Sequence, residues 1–211
     1  MIQREKQSLL GRGGRIPAVW ALLTTAAVVM GSFLPGVAQG PLKIPSFSAD
    51  QIHTMGGKTK TMKVHATPNA MRMEGEDKGK KSIVIMRFDR KVMWSLMPDQ
   101  KMYVELPWAS QAEWASWAEG AEVQRQSLGT EQVGAYLCEK SRVQVTLQGK
   151  VYTSLEWTAK QLNDMVVKTQ DEKGQWSTEY QNVQLGPQDP SLFEVPADYK
   201  KLSLGGMFQP K

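Results

Sequence analysis

Short apolar runs broken by turn residues dominate the chain from Phe47 onward. The runs are Phe47–Thr54, Lys60–Ala66, Ala70–Glu74, Ile83–Phe88, Val92–Met97, Lys101–Leu106, Tyr136–Leu147, Val151–Trp157, Met165–Thr169 and Trp176–Val183. Between them lie Gly56-Gly57, Pro68-Asn69, Gly75–Gly79, Asp89-Arg90, Pro98-Asp99, Gln148-Gly149 and Asp171–Gly174. Gly, Asp, Asn and Pro supply the backbone angles of tight reversals. Strands joined by such short turns must be antiparallel neighbours. The pattern predicts a mainly β protein, with a long meander forming one strongly curved antiparallel sheet or a half-open barrel.

Some runs alternate and others do not. Val64 and Ala66 oppose Lys63 and His65, Met71 and Met73 flank Arg72, and Val143, Val145 and Leu147 alternate with Arg142, Gln144 and Thr146. Such strands have one wet and one dry face. In contrast, SIVIM and VMWSLM are apolar at nearly every position, which predicts central strands covered on both faces. One segment reads as a helix. In WASQAEWASWAEG (108–120), Ser110 and Glu113 have capping-box spacing after Pro107, alanines favour helix, and Gly120 is a natural stop. Trp114 and Trp117 share a face of that helix, and Trp108 precedes its cap. A second short helical turn is expected near Thr158–Leu162, and a helix as short as the first must dock on the sheet. DPSLFEVPADYKKL reads as an irregular closing segment pinned by Leu192, Phe193 and Tyr199.

The first residues follow a different logic. Arg4, Lys6, Arg12 and Arg15 precede an apolar run from Ile16 to Leu34, followed by Pro35 and the small residues Gly36 and Ala38. That order reads as a signal peptide over 1–38, cut after Ala38, although the run is also long enough for a retained membrane anchor. No cysteine lies near the cleavage site, so the product is not expected to be a lipoprotein. The remaining 173 of 211 residues suit one domain over 46–202, with a flexible lead at 39–45 and a disordered tail at 203–211. An exported, periplasmic location follows from this reading.

The leader holds four of the 26 basic residues and one of the 21 acidic ones, so the balance of the mature chain falls to +2. Its charges are interspersed, and nucleic-acid binding loses compositional support. Cys138 is the one cysteine, so no internal disulfide forms. A small buried group is the simplest reading, beside an intermolecular disulfide or a reactive thiol. His53 and His65 have no partner at zinc-ligand spacing. Met62, Met71 and Met73 with His65 would offer soft copper ligands, but alternation points His65 and Met62 to opposite faces. No nucleophile elbow, phosphate loop or dinucleotide fingerprint occurs in the domain, and no enzyme, metal or cofactor is expected.

Two blocks and the ending resemble a known family. IVIMRFDRKVMWSLMPDQKMYVELPW looks like the central hairpins of periplasmic lipoprotein-carrier-like proteins, and LGTEQVGAYLCEKSRVQV resembles their continuation. YQNVQLGPQDPSLFEVPADYKKL resembles their closing segment. Over residues 46–202 the chain is most similar to the bacterial domain-of-unknown-function family 4412, in the LolA/LolB-like superfamily. The resemblance implies a half-open, strongly curved sheet with one or two short helices on its concave side, which in the best-known members holds acyl chains of lipoproteins in transit.

Together these readings lead to a non-enzymatic carrier of a hydrophobic or lipidated ligand, with a role in outer-membrane lipoprotein sorting. The expected partners are a lipid or lipidated protein, with transient contact to membrane or envelope proteins, in a monomer. Its expected cavity and lid residues are Trp94, Met97, Trp108, Trp114 and Trp117. Ten methionines of the mature chain add adaptable apolar surface. The alternative is an envelope scaffold whose concave face is permanently filled and which takes no small ligand.

Overall fold

The computed structural model describes residues 45–107, 122–147 and 149–203. Twelve strands form one sheet: β1 (Phe47–Met55), β2 (Lys58–Thr67), β3 (Ala70–Asp77), β4 (Lys80–Arg87), β5 (Val92–Met97), β6 (Met102–Pro107), β7 (Glu122–Val133), β8 (Tyr136–Leu147), β9 (Lys150–Ala159), β10 (Met165–Asp171), β11 (Trp176–Leu185) and β12 (Lys200–Lys201). Their order is β12-β6-β5-β4-β3-β2-β1-β11-β10-β9-β8-β7. All pairs are antiparallel except the short parallel pair of β12 with β6. The expected fold class is therefore the one found, a curved sheet that does not close into a barrel. The short turn expected near Thr158–Leu162 is a 3-10 turn at Lys160–Leu162, with Leu162 buried. The tryptophan-bearing helix expected at 108–120, the leader and the tail from 204 lie outside the described residues.

Among the described residues, one ladder, β1 with β11, joins the two meanders β1–β6 and β7–β11. This order separates β6 from β7 by the full width of the sheet, ten interstrand spacings less the short edge strand β12. β6 and β7 run in the same direction, so the end of β6 and the start of β7 also lie at opposite ends of the strands.

Ten of the twelve strands coincide with the apolar runs of the sequence. The other two are edges. β7 is polar along its length, with only Val133 buried among its twelve residues, and it gives no alternation to read. A bulge between Ser127 and Thr130 interrupts its ladder with β8. Charge and irregularity of this kind blunt an exposed edge against pairing with other chains. β12 is two residues long and covers the other edge through Lys200 N–H to Lys101 O at 2.9 Å and Leu202 N–H to Tyr103 O at 2.7 Å.

The doubly apolar strands are covered on both faces, as expected. Val84, Met86 and Met93 join the main buried cluster with Phe47, Val64, Met71 and Trp157. Ile85, Trp94 and Leu96 point the other way, beneath Phe193, with Leu192, Val195 and Tyr199 around them. The C-terminal segment is held down by main-chain contacts. Arg72 Nη1 donates to Leu192 O at 2.9 Å and Arg87 Nη1 to Phe193 O at 3.3 Å. Glu194 accepts from both Arg87 and Arg90, the latter at 2.8 Å through each guanidinium nitrogen. Asp189 caps the 3-10 turn Pro190–Phe193 through Ser191 N–H at 2.9 Å.

Two expectations follow. Truncating Phe193, which is 4 % exposed, removes the centre of the outer cluster. Phe193→Ala should cost about 3–4 kcal/mol in urea unfolding, with Phe193→Leu costing less than half of that. Cys138 is fully buried on β8, its Sγ directed at Tyr136 O, and desolvation pushes its thiol up. The native protein should be inert to a neutral-pH thiol reagent and react fully in denaturant. Fast labelling of native protein would show instead that β8 opens.

Candidate functional site

The candidate site is the face of β1–β6 turned away from the C-terminal segment. Strand alternation and register place one row of side chains across six strands: Phe47, Ala66, Met71, Met86, Met93 and Leu106, each directly opposite the next. The neighbouring row is Ala49, Val64, Met73, Val84, Ser95 and Val104. A third row contains Met62, opposite Gln51 and Gly75, and reaches Met97 and Met102 on β5 and β6. Seven methionines from five adjacent strands thus share one face. A Cβ at Gly75 would stand 3.2 Å from Met62 Cγ, so the glycine leaves room for that side chain to lie across β3. Unbranched thioethers adapt to irregular apolar shapes better than branched side chains do.

Along β1 this face changes character. Phe47 and Ala49 are followed, two residues apart, by Gln51 and His53, both buried. His53 opens a polar row that continues across the other meander through Thr178 and Thr169 to Glu156, each opposite the next. All four are buried, Glu156 completely. Gln51 Nε2 donates to Tyr180 Oη at 2.9 Å, and His53 Nδ1 lies 3.0 Å from Thr178 Oγ1. Arg125 Nη1, reaching over from β7, donates to Glu156 Oε2 at 2.7 Å. Among the described residues, Gln51 Oε1, His53 Nε2 and Glu156 Oε1 find no hydrogen-bond partner. Leaving such atoms unpaired carries a desolvation cost, so their presence beside an apolar face is chemically notable.

Burial sets the charge states of this row. Desolvation, with Lys60 nearby, pulls the His53 imidazole below its ordinary value and keeps it neutral. Desolvation raises the Glu156 carboxyl even though Arg125 opposes it. Tyr180 is pushed up to about 12 by desolvation, which its bond from Gln51 partly offsets. The row therefore runs from an uncharged imidazole at His53 to the Arg125–Glu156 ion pair at its far end.

The residues singled out from the sequence separate in the structure. Met97 lies half-buried on the methionine face. Trp94 is three positions away, an odd spacing on a strand, and so faces the opposite side. There it packs with Phe193, and its Nε1 donates to Glu105 Oε2 at 3.0 Å. Trp108, Trp114 and Trp117 lie outside the described residues. His65 and Met62 do lie on opposite faces, and His65 Nδ1 is 2.8 Å from Gln188 Oε1 of the C-terminal segment. Sequence reading missed the polar row. The signal available was that Gln51 and His53 keep the parity of Phe47 and Ala49, on the dry side of β1.

The sign of the pH dependence follows from His53. Its folded value is lowered, so the unfolded chain binds more protons as pH falls through 6.5. Stability should be full above that pH and decline below it, and His53→Asn should flatten this slope in thermal melts between about pH 5 and 7. Glu156, raised above its ordinary value, acts in the opposite sense: its burial costs stability as pH rises above 4.5. Glu156→Gln should therefore steepen the net loss of stability on acidification.

Comparison with known proteins gives the fold and the family. An uncharacterised conserved protein from Thermus thermophilus superposes with a TM-score of 0.53 at 14% identity, covering 85% of this chain and 98% of that one. MucB, in its complex with MucA(peri), gives 0.50 at 16% identity, covering 82% of this chain and 62% of MucB. No curated protein matches the sequence. The family described as a domain of unknown function, DUF4412, matches residues 50–169, more than half of the chain. The chain thus belongs to the DUF4412 family.

Proposed function

We propose that this protein is a non-catalytic, exported envelope protein whose methionine face takes the apolar chain of a lipid or of a lipidated protein. The observation that carries the reading is the unbroken apolar row from Phe47 to Leu106, six strands wide, with four further methionines on the same face, Met73 in the neighbouring row and Met62, Met97 and Met102 in the third. An acyl chain laid along such a row gains about 0.8 kcal/mol per buried methylene. The fold shared with MucB, a protein solved in complex with MucA(peri), is compatible with a protein partner. Export is supported by the basic head, the apolar run and the small-residue site at Ala38.

A specific observation favours a second reading. Met71 and Met73 are 1 % and 3 % exposed, so this part of the face is already covered. On that reading the face is a filled core, and the protein is a scaffold for an envelope partner.

Displacement of a fluorescent fatty-acid probe separates the two. A carrier should bind the probe, and Met86→Gln with Met93→Gln should weaken binding about tenfold, while Met86→Leu with Met93→Leu should retain it. Native mass spectrometry of protein recovered without detergent should then show a lipid adduct. No probe binding and no adduct would leave the scaffold.

A further inference from the structure

The topology gathers one set of turns at a single end of the sheet. β1, β3, β5, β8 and β10 all run toward that end, because the pairings between them alternate direction without interruption. Two of the hairpins carry strand ends that an adjacent strand does not pair. Glu76–Lys81 and Asp77–Lys80 pair only with each other, past the last β2–β3 pair, Met62–Gly75, and the first β4–β5 pair, Ile83–Leu96. Likewise Lys150, Val151, Tyr152 and Thr153 of β9 extend past the last β9–β10 pair, Ser154–Asp171. Between these hairpins the β1–β2 and β10–β11 turns touch, with Gly56 N–H donating to Gln175 O at 3.2 Å.

What these turns carry is uneven. Lys58, Lys60, Lys78, Lys80, Lys81, Lys150 and Lys173 are all exposed here. None of the seven forms an ion pair among the described residues, whereas Lys101, Lys140, Lys160, Lys168 and Lys201 do. Of the acids at this end, Asp171 is engaged by the amides of Lys173 and Trp176 and Glu172 by Arg142 at 2.5 Å, while Asp99 in the β5–β6 turn and Glu122 at the start of β7 are exposed. Glu76 and Asp77 leave their own hairpin with a surplus of lysine. Three of the large apolar side chains that stand exposed are at this same end: Met55 at 49 %, Val151 at 60 % and Tyr152 at 49 %.

From this arrangement we infer that the lysine-bearing turns and the Val151-Tyr152 hairpin form a docking rim for an anionic lipid bilayer. A mixed rim fits a bilayer better than a soluble acidic partner. Unpaired lysines gain about 1 kcal/mol each near an anionic leaflet. Valine, methionine and tyrosine at the tips fit the boundary between headgroups and acyl chains, where amphipathic rings accumulate. The rim lies beyond His53, at the polar end of the methionine face. The inference does not rest on that face taking a ligand: loss of probe binding would leave docking untouched.

The test is sedimentation of the protein with vesicles of phosphatidylcholine alone or mixed with phosphatidylglycerol. All variants share one N-terminus, so any contribution of Ile16–Leu34 is common to them. Wild type should bind the mixed vesicles and release them as salt rises from about 0.05 to 0.5 M. Replacing Lys78, Lys80 and Lys81 by Gln should weaken binding about tenfold or more. Val151→Ser with Tyr152→Ser should weaken it about tenfold at constant charge. Equal binding to neutral and anionic vesicles, or no response to either set, overturns the inference. So does capture of soluble polyglutamate as tight as that of vesicles with the Val151/Tyr152 variant unaffected, which would assign the rim to an acidic protein.

Discussion

The pairing of β1 with β11 is the interaction on which this architecture depends. Among the described residues it is the one ladder between the two meanders, and it joins distant residues such as Gln51 and Tyr180, 129 positions apart. Every other antiparallel ladder closes over a short turn. Closing a long loop costs entropy before any contact repays it, so this seam should form late in folding. It also determines what meets on the inner face. The apolar rows of β1–β6 and the polar row of β9–β11 become one surface only because β1 belongs to both.

That surface is organised by a gradient along β1. At Phe47 it is aromatic and aliphatic, at Gln51 it becomes amide, and at His53 it becomes imidazole. The gradient continues into exposed lysine at the turn. Polar groups buried beside an apolar wall define a direction along the strand, and a molecule with one greasy and one hydrogen-bonding end could lie there in only one orientation. The outer face has no such polarity. Its cluster is sealed by Phe193 and the carbonyls of the C-terminal segment, which Arg72 and Arg87 hold in place.

Much of the fold was legible because a buried strand announces itself through its own residues. SIVIM and VMWSLM imply two covered faces whatever lies on them, and the closing segment could be read from Leu192, Phe193 and Tyr199. β7 was not legible, since an edge strand is specified by its partner β8 and by what it avoids, and EVQRQSLGTEQV carries no period. The site was legible only in part. The methionines were visible as an inventory, but their convergence on one face needs the register of five strands, which no local pattern encodes. Trp94 and Met97 looked alike in the sequence because both are large and apolar. The parity of their positions, not their chemistry, assigns them to different clusters.

The polar, bulged β7 leaves one side of the curl without a hydrogen-bonded seam. In a closed barrel the circumference is fixed by strand number and stagger. Here the girth is not quantised in that way. Among the described residues the sheet ends at β7 and β12 and is not closed into a ring.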